Sequence, residues 1–325
     1  AALRKRTGGH ADRCAPPGRN TRYREARYRE VGVVEGFLNQ LPIGLSIGAV
    51  LLLIALGLTF TFGQMGVINM AHGEFIMIGA YTAYMFQDWA GDQAVLVALP
   101  VAFLVAGLFG MVLERLLIRR FYGRPLDTLL LTWGVSLILQ QLVRDLIDTR
   151  GVQVPAPSWL IGGIQVWGIN IPYNRMFIFG LAVACLVAIW FYLGRTPAGR
   201  RTRAVVQNRQ LAAVCAVRTA RVDQLTFFIG SGLAGVAGVT LTLVGSINPT
   251  IGTKYIVDAF LVVVVGGLGQ LRGALLAAFA LGLLNSFAEF WTDASLAKVL
   301  VFVAIVAFLQ ARPQGLFQLR TRALT

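Results

Sequence analysis

The sequence is 325 residues long, with 56% hydrophobic and 14% charged residues, against roughly 45–50% and 25% in soluble domains, which excludes a water-soluble globular fold. Its net charge of +14 would suggest a nucleic-acid partner if it lined one face, but the arginines collect between or beyond apolar stretches without nucleic-acid motifs or aromatic platforms, so no nucleic acid is expected. The two histidines, His10 and His72, and the three cysteines, Cys14, Cys185 and Cys215, are too scattered for a metal cluster, a complete Ser-His-Asp triad or a disulfide framework.

Taken in chain order, residues 1–36 begin as an Arg-rich segment with Gly8-Gly9 and Pro16-Pro17 and without the apolar core of a secretory signal. They read as a disordered, basic cytoplasmic arm, and residues 37–325 as the membrane domain. A helix needs roughly 20 mostly apolar residues to cross a bilayer. Such stretches recur at 41–62, 94–113, 176–193, 227–244 and 298–309, with shorter runs at 75–86, 129–143, 259–265 and 274–287. The fold class is therefore all-α, a polytopic integral membrane protein with about 8–10 membrane segments. With the arginine-rich segments taken as cytoplasmic, residues 41–62 run outward, and the later spans alternate. That parity requires 63–86 and 259–287 each to return to the outer side.

Both returning segments carry a glycine break, GQMGVINMAHGE at 63–74 and GGLGQLRG at 266–273. Two interrupted segments at corresponding places in two halves suggest a pseudo-repeat. Unwound backbone is tolerated at membrane depth only where it is buried or lines a cavity. Candidate substrate-path residues are Gly66, Asn69, His72, Glu74, Gly267 and Gly269; a capping role near the start of a helix is the other reading of His72 and Glu74. Asp258 and Glu289 are expected at the outer water interface, and Gln140 and Trp133 in helix packing. Gly230, Gly232, Gly235 and Gly238 fit close helix contacts. No Gly-Lys-Ser or Gly-Lys-Thr occurs, and GGLGQLRG lacks the spacing of a nucleotide loop. The chain reads as no enzyme and needs no cofactor, so any energy source sits on another chain.

The loop at 195–223 is the most informative soluble segment. If 203–217 is one helix, Ala204, Val205, Asn208, Leu211, Ala212 and Cys215 share a small-residue face. That face would dock on a cytoplasmic partner or lie on anionic membrane lipid.

Together GVINMAHGEF, RAVVQNRQLAA, SINPTIGTKYIVDAFLVVVVGGLGQLRGA and RPQGLF resemble the branched-chain amino-acid type of ABC importer permease. Within that group, YGRPLDTLLLTWGVSLILQQLVR and ASLAKVLVFVAIVAFLQARPQGLF look closest to the urea permease subunit. The resemblance implies a multi-pass protein of the bacterial inner membrane that moves urea by alternating access. It implies a second permease subunit of similar fold, two cytoplasmic ATPase subunits and a periplasmic solute-binding protein. It also makes RAVVQNRQLAA the coupling loop, with Arg203, Ala204, Asn208, Leu211 and Ala212 as ATPase-coupling residues. Similar sequences carry a glycine soon after the paired alanines, where this chain has Cys215-Ala216. A branched-chain amino acid or short amide is the alternative solute, and a stand-alone channel or secondary transporter the alternative class.

Overall fold

The computed structural model describes residues 19–147, 151–166 and 169–317. Residues 1–18 of the expected arm lie outside them, whereas 19–36, expected to be disordered, form the start of the first helix. The described chain is helical apart from one hairpin: α1 Arg19–Met65, α2 His72–Ala90, α3 Ala94–Leu116, α4 Pro125–Leu146, β1 Gly163–Val166, β2 Ile169–Pro172, α5 Tyr173–Arg195, α6 Pro197–Gln207, α7 Arg209–Val214, α8 Thr219–Thr242, α9 Ile251–Gly266, α10 Leu271–Trp291 and α11 Ala294–Ala311. Seven stretches among the described residues are long and apolar enough to cross a membrane, and one of these, His72–Leu116, holds both α2 and α3. At 16 residues, or about 24 Å of helix, α9 falls just short of that length and completes the bundle.

Small residues set how closely the helices approach. The α8 span is 83% buried because it lies at the centre, between α1, α2 and α3. A Cβ on Gly230 would stand 2.8 Å from the Gly57 carbonyl oxygen, and one on Gly238 would stand 2.0 Å from that of Ile76. Gly232 meets Phe103 and Gly235 meets Ala102 in the same way. These four glycines are helix-packing residues, as their spacing suggested; close backbone approach replaces the hydrophobic drive that lipid does not supply.

The two ends of the bundle differ in charge. Arg115, Arg119, Arg124, Arg195 and Arg221, with the α6–α7 segment, flank the helix ends at one side. At the other, Asp92 accepts from the Ser158 amide at 3.1 Å, the Asn170 amide donates to Asn39 Oδ1 at 3.1 Å, and Val152 pairs with Ile247. The β1–β2 hairpin marks this second end.

The bond between Asn39 and Asn170 reverses the expected direction of the first span. α1 joins the bundle at the hairpin end and runs toward the basic end. α2 starts level with residues 54–57 of α1 and then runs back to the hairpin end, where Asp92 follows it. Nine helices, α1 to α5 and α8 to α11, therefore alternate in strict order, and residues 259–287 are a paired crossing of α9 and α10. The arginines of residues 1–30 resemble those of the internal basic loops, yet the helix they lead into enters at the opposite end.

This arrangement is testable by labelling in a background lacking the native cysteines. Cysteines placed at the exposed Phe37 and Gln165 should react from one side of the membrane, and one at the exposed Gln207 only from the other. Labelling of Phe37 with Gln207 would restore the sequence-derived direction of α1.

Candidate functional site

Each glycine break opens a helix inside the bundle. After α1, Gly66 turns with φ +63° and residues 66–69 run unwound until α2 begins at His72. After α9, Gly267 and Gly269 turn with φ +97° and +73° before α10 begins at Leu271. The breaks meet: a Cβ on Gly63 would stand 2.3 Å from the Gly269 Cα. The space around Gly66 is open, so its glycine is required by the backbone angle. Gly267 meets both constraints, since the Phe317 carbonyl oxygen lies 2.1 Å from where its Cβ would be.

Beside the first break lies a buried polar network. Glu74 Oε1 accepts from Ser136 Oγ at 2.6 Å and from Gln140 Nε2 at 2.8 Å, and Gln140 Nε2 also donates to Thr253 Oγ1 at 2.9 Å. The network joins α2, α4 and α9. Glu74 precedes the hairpin end of α2 by about 24 Å, and Ser136 follows the basic end of α4 by about 16 Å, so the site lies at mid-depth. The Met70 amide is held by Thr132 Oγ1 at 3.1 Å. Glu74 Oε2, His72 Nδ1 and both side-chain atoms of Asn69 are buried without a hydrogen-bond partner.

Around Asn69, a cavity of about 220 Å³ opens between helices. Leu58 and Phe62 of α1, Leu129 of α4 and Ile256 and Phe260 of α9 supply most of its wall. His72 is not at this cavity: it is fully buried, 3.4 Å from the Ile54 carbonyl oxygen and edge-on to Phe75. Of the candidate path residues, Asn69 borders the cavity, Glu74 stands in the network, His72 packs against α1, and the glycines shape the two breaks. Asp258 and Glu289 stay apart, the first 3.6 Å from Lys298 and the second accepting from Asn285. Gln140 forms interhelical hydrogen bonds, as expected. Ser136 and Thr253 were missed, because single hydroxyls in apolar runs carry no sequence signal until a carboxylate faces them. Among the described residues no His, Cys, Asp and Glu cluster could hold a metal.

At the basic end the segment expected to form one coupling helix is two helices, not one. Asn208 takes extended angles between α6 and α7, and its side chain accepts from the Leu211 amide at 2.9 Å, capping α7. The break redistributes the expected face. Arg203, Asn208 and Leu211 are exposed, Ala204 is half-buried, and Ala212 is buried against Val205 and Val222. Ala212 therefore packs within the chain; Leu211 and Val214, exposed by 60% and 84%, are the apolar groups offered outward. α7 ends where Ala216 takes φ +60°, with the Val217 amide donating to the Ala212 carbonyl and the Ala216 amide to that of Ala213. That is a Schellman termination, which favours glycine at the position Ala216 occupies.

A charged cluster ties α7 to the bundle. Arg209 forms a two-pronged ion pair with Asp223 at the start of α8 and lies 5.2 Å over the Tyr122 ring. Tyr122 in turn donates to Glu114 of α3 at 2.7 Å. Burial, with the hydrogen bond to Glu114, raises the Tyr122 phenol far above its usual range and keeps it a donor. Sequence alone does not mark this cluster, because Arg209 is one of many arginines in its loop.

Two expectations follow. The Asp223 side chain is 2% exposed and that of Arg209 43%, so Arg209→Ala strands a buried carboxylate, a loss of ~3–5 kcal/mol, whereas Asp223→Asn leaves a guanidinium that can reach water. The melting temperature of the purified protein should fall much further for the first; equal falls would contradict the clamp. Ala216→Gly relieves a left-handed alanine and should stabilise the loop by ~0.5–1 kcal/mol, seen as slower tryptic cleavage between Arg209 and Arg218. Faster cleavage would count against the Schellman end.

Residues 41–309 match the family model described as branched-chain amino acid transport system, permease component. The high-affinity branched-chain amino acid transport system permease protein LivH of Escherichia coli K12 is 30% identical over 292 residues, covering 86% of this chain and 95% of the relative. BraD of Pseudomonas aeruginosa, described in the same terms, is 31% identical over 292 residues with the same coverage. The ribose import permease RbsC of Haemophilus influenzae is 26% identical over 270 residues, 78% of this chain and 80% of the relative. No solved structure matches. A nine-helix bundle with two interior breaks, matched along nearly its whole membrane domain by these permeases, belongs to the family of permease components of branched-chain amino acid transport systems.

Proposed function

We propose that the chain imports branched-chain amino acids as the membrane subunit of an ATP-driven transporter. It is a transport subunit of the inner membrane rather than an enzyme. The observation that carries the solute is the mid-depth cavity beside the first break, with walls that are almost wholly hydrocarbon. Urea, which the sequence resemblance implied, has no hydrocarbon to bury against Leu58, Phe62, Leu129, Ile256 and Phe260, whereas an aliphatic side chain gains by entering. The relatives named above likewise carry branched-chain amino acids in their descriptions.

The basic end faces the cytoplasm in this reading, as the positive-inside rule requires. A second permease subunit of similar fold completes the path, a periplasmic binding protein delivers solute at the hairpin end, and two ATPase subunits act at the basic end. Arg203, Asn208, Leu211 and Val214 form the coupling face, with Ala204 and Ala212 supporting it from behind. Alternating access moves the two broken segments, joined at Gly63 and Gly269, against their neighbours.

The test is uptake into vesicles holding the assembled transporter, its ATPase and its binding protein. Leucine should accumulate only with ATP, with competition by isoleucine and valine and none by urea. Urea accumulation would restore the urea reading, and uptake without the ATPase would favour a channel or secondary transporter. Leu211→Asp should abolish leucine-stimulated ATP hydrolysis, because a carboxylate would be desolvated at the contact, and Gln210→Asp should leave it unchanged. Full stimulation in Leu211→Asp would move the coupling face elsewhere.

A further inference from the structure

We infer that the open side of α9 is the wall of the translocation path, and that the second permease subunit closes it by seating on α4 and α11. This rests on the two-subunit transporter proposed above. It deepens that reading by naming the helix that lines the path and the helices that seal it.

The depth of the charged groups on α9 is decisive. Thr253 joins the mid-depth network through Gln140, which places the first turn of α9 well inside the membrane. Lys254 follows and is exposed, with its Nζ 5.7 Å from the centre of the Tyr255 ring, and among the described residues it forms no ion pair. One turn farther, Asp258 stands about 12 Å before the basic end of α9, and Lys298, its partner at 3.6 Å, about 20 Å before that of α11. The hydrocarbon layer is about 30 Å thick, so the pair lies within it. The Asp258 side chain is nevertheless 34% exposed and that of Lys298 45%. An aspartate is too short to reach a membrane boundary from that depth. Charged side chains there face a bundle interior or a water-filled cavity rather than lipid.

Other outward faces lack this chemistry. At comparable depth α3 exposes Leu104, Leu108 and Val112, and α5 exposes Phe179, Val183 and Val187, all suited to lipid. α9 is backed by α1, α2 and α10, joined to α4 through Thr253 and Gln140 and to α11 through Asp258 and Lys298. Its remaining side is open. Val257 is exposed on that side and also lines the apolar cavity, so the cavity gives onto the charged strip.

Such a strip stays out of lipid only if something bridges it from flank to flank. Both flanks present large side chains: Trp133 of α4, one turn from Leu129 at the cavity, and Phe302 of α11, one turn from Lys298, are exposed by 52% and 50%. Trp133 lies about 12 Å from the basic end of α4, away from the headgroup level where lipid-facing tryptophans collect. Tryptophan is instead enriched where protein surfaces pack together. The occupant has to span the membrane itself, as a second permease subunit of similar fold does; the ATPase and the binding protein act at the two ends.

The test uses the assembled transporter with its native cysteines replaced. During turnover, Lys254→Cys and Val257→Cys should react with a membrane-impermeant, charged thiosulfonate at least about tenfold faster than Leu108→Cys and Val187→Cys, because the reacting thiolate forms only where water reaches. Benzoylphenylalanine placed at Trp133 or Phe302 should photo-cross-link to a tagged second permease subunit, and at Leu108 or Val187 should not. Rates at positions 254 and 257 no higher than at 108 and 187, in a transporter that takes up leucine, overturn the path wall. Cross-links to the second subunit from 108 or 187, with none from 133 or 302, overturn the seam and leave the two-subunit reading standing. Leucine uptake by a purified transporter that holds no second permease subunit removes both.

Discussion

Hydrocarbon offers no hydrogen bonds, and a chain that unwinds at membrane depth has to enclose the unwound backbone in protein. This one unwinds twice, at 66–71 and at 267–270, and the rest of the fold can be traced to how those breaks are covered. They cover each other where Gly63 lies against Gly269, a contact that the two missing side chains permit. α1 and α10 then run together from Gly63 and Gly269 as far as Gly36 and Phe290, with Gly48 against Gly282 along the same seam. The carboxyl-terminal turn closes the second break from below, its Leu316 amide donating to the Val265 carbonyl at 2.8 Å. The first break is covered from the side by α4, through Thr132.

Three buried carboxylates follow the same logic at two levels of the bundle. Glu74 at mid-depth is held by a hydroxyl and an amide, Glu114 at the basic end by a phenol, and Asp223 beside it by a guanidinium. Only the last has a formal counter-charge in contact, and it is the one that fastens the coupling segment. At mid-depth the carboxylate draws on a hydroxyl and an amide rather than on a cation, whereas the pair at the water boundary is a guanidinium–carboxylate clamp.

The sequence disclosed what depends on composition and on local backbone chemistry. Apolar runs gave the spans, the glycine clusters gave both breaks, and the small residues of 230–238 gave the crowded centre of the bundle. It misled where one signal had two sources: the arginines of residues 1–30 look like those of the internal loops, and only the bond between Asn39 and Asn170 separates them. It was silent where a role depends on a partner far along the chain. Ser136 is one hydroxyl among apolar residues until α2 brings Glu74 to it, and Arg209 is one arginine among many until α8 presents Asp223. Within the coupling segment, helical spacing grouped Ala212 with Leu211, but extended angles at Asn208 turned α7 and sent the two in opposite directions.

The change at Asn208 also bears on how the segment works. A single straight helix from 203 to 217 would present one continuous small face and could slide along a groove. Two short helices with a capped corner form a wedge, fixed to α8 by Arg209 and Asp223 and closed by the Schellman turn at Ala216. Under the proposed coupling, such a wedge would move as a body with the basic ends of α3 and α8. Because α8 packs glycine to backbone on α1 and α2 beside the first break, a displacement at the wedge reaches the mid-depth site through rigid contacts rather than through flexible side chains. Close packing in this bundle thus encloses the broken backbone and, under the proposed coupling, would carry force to it.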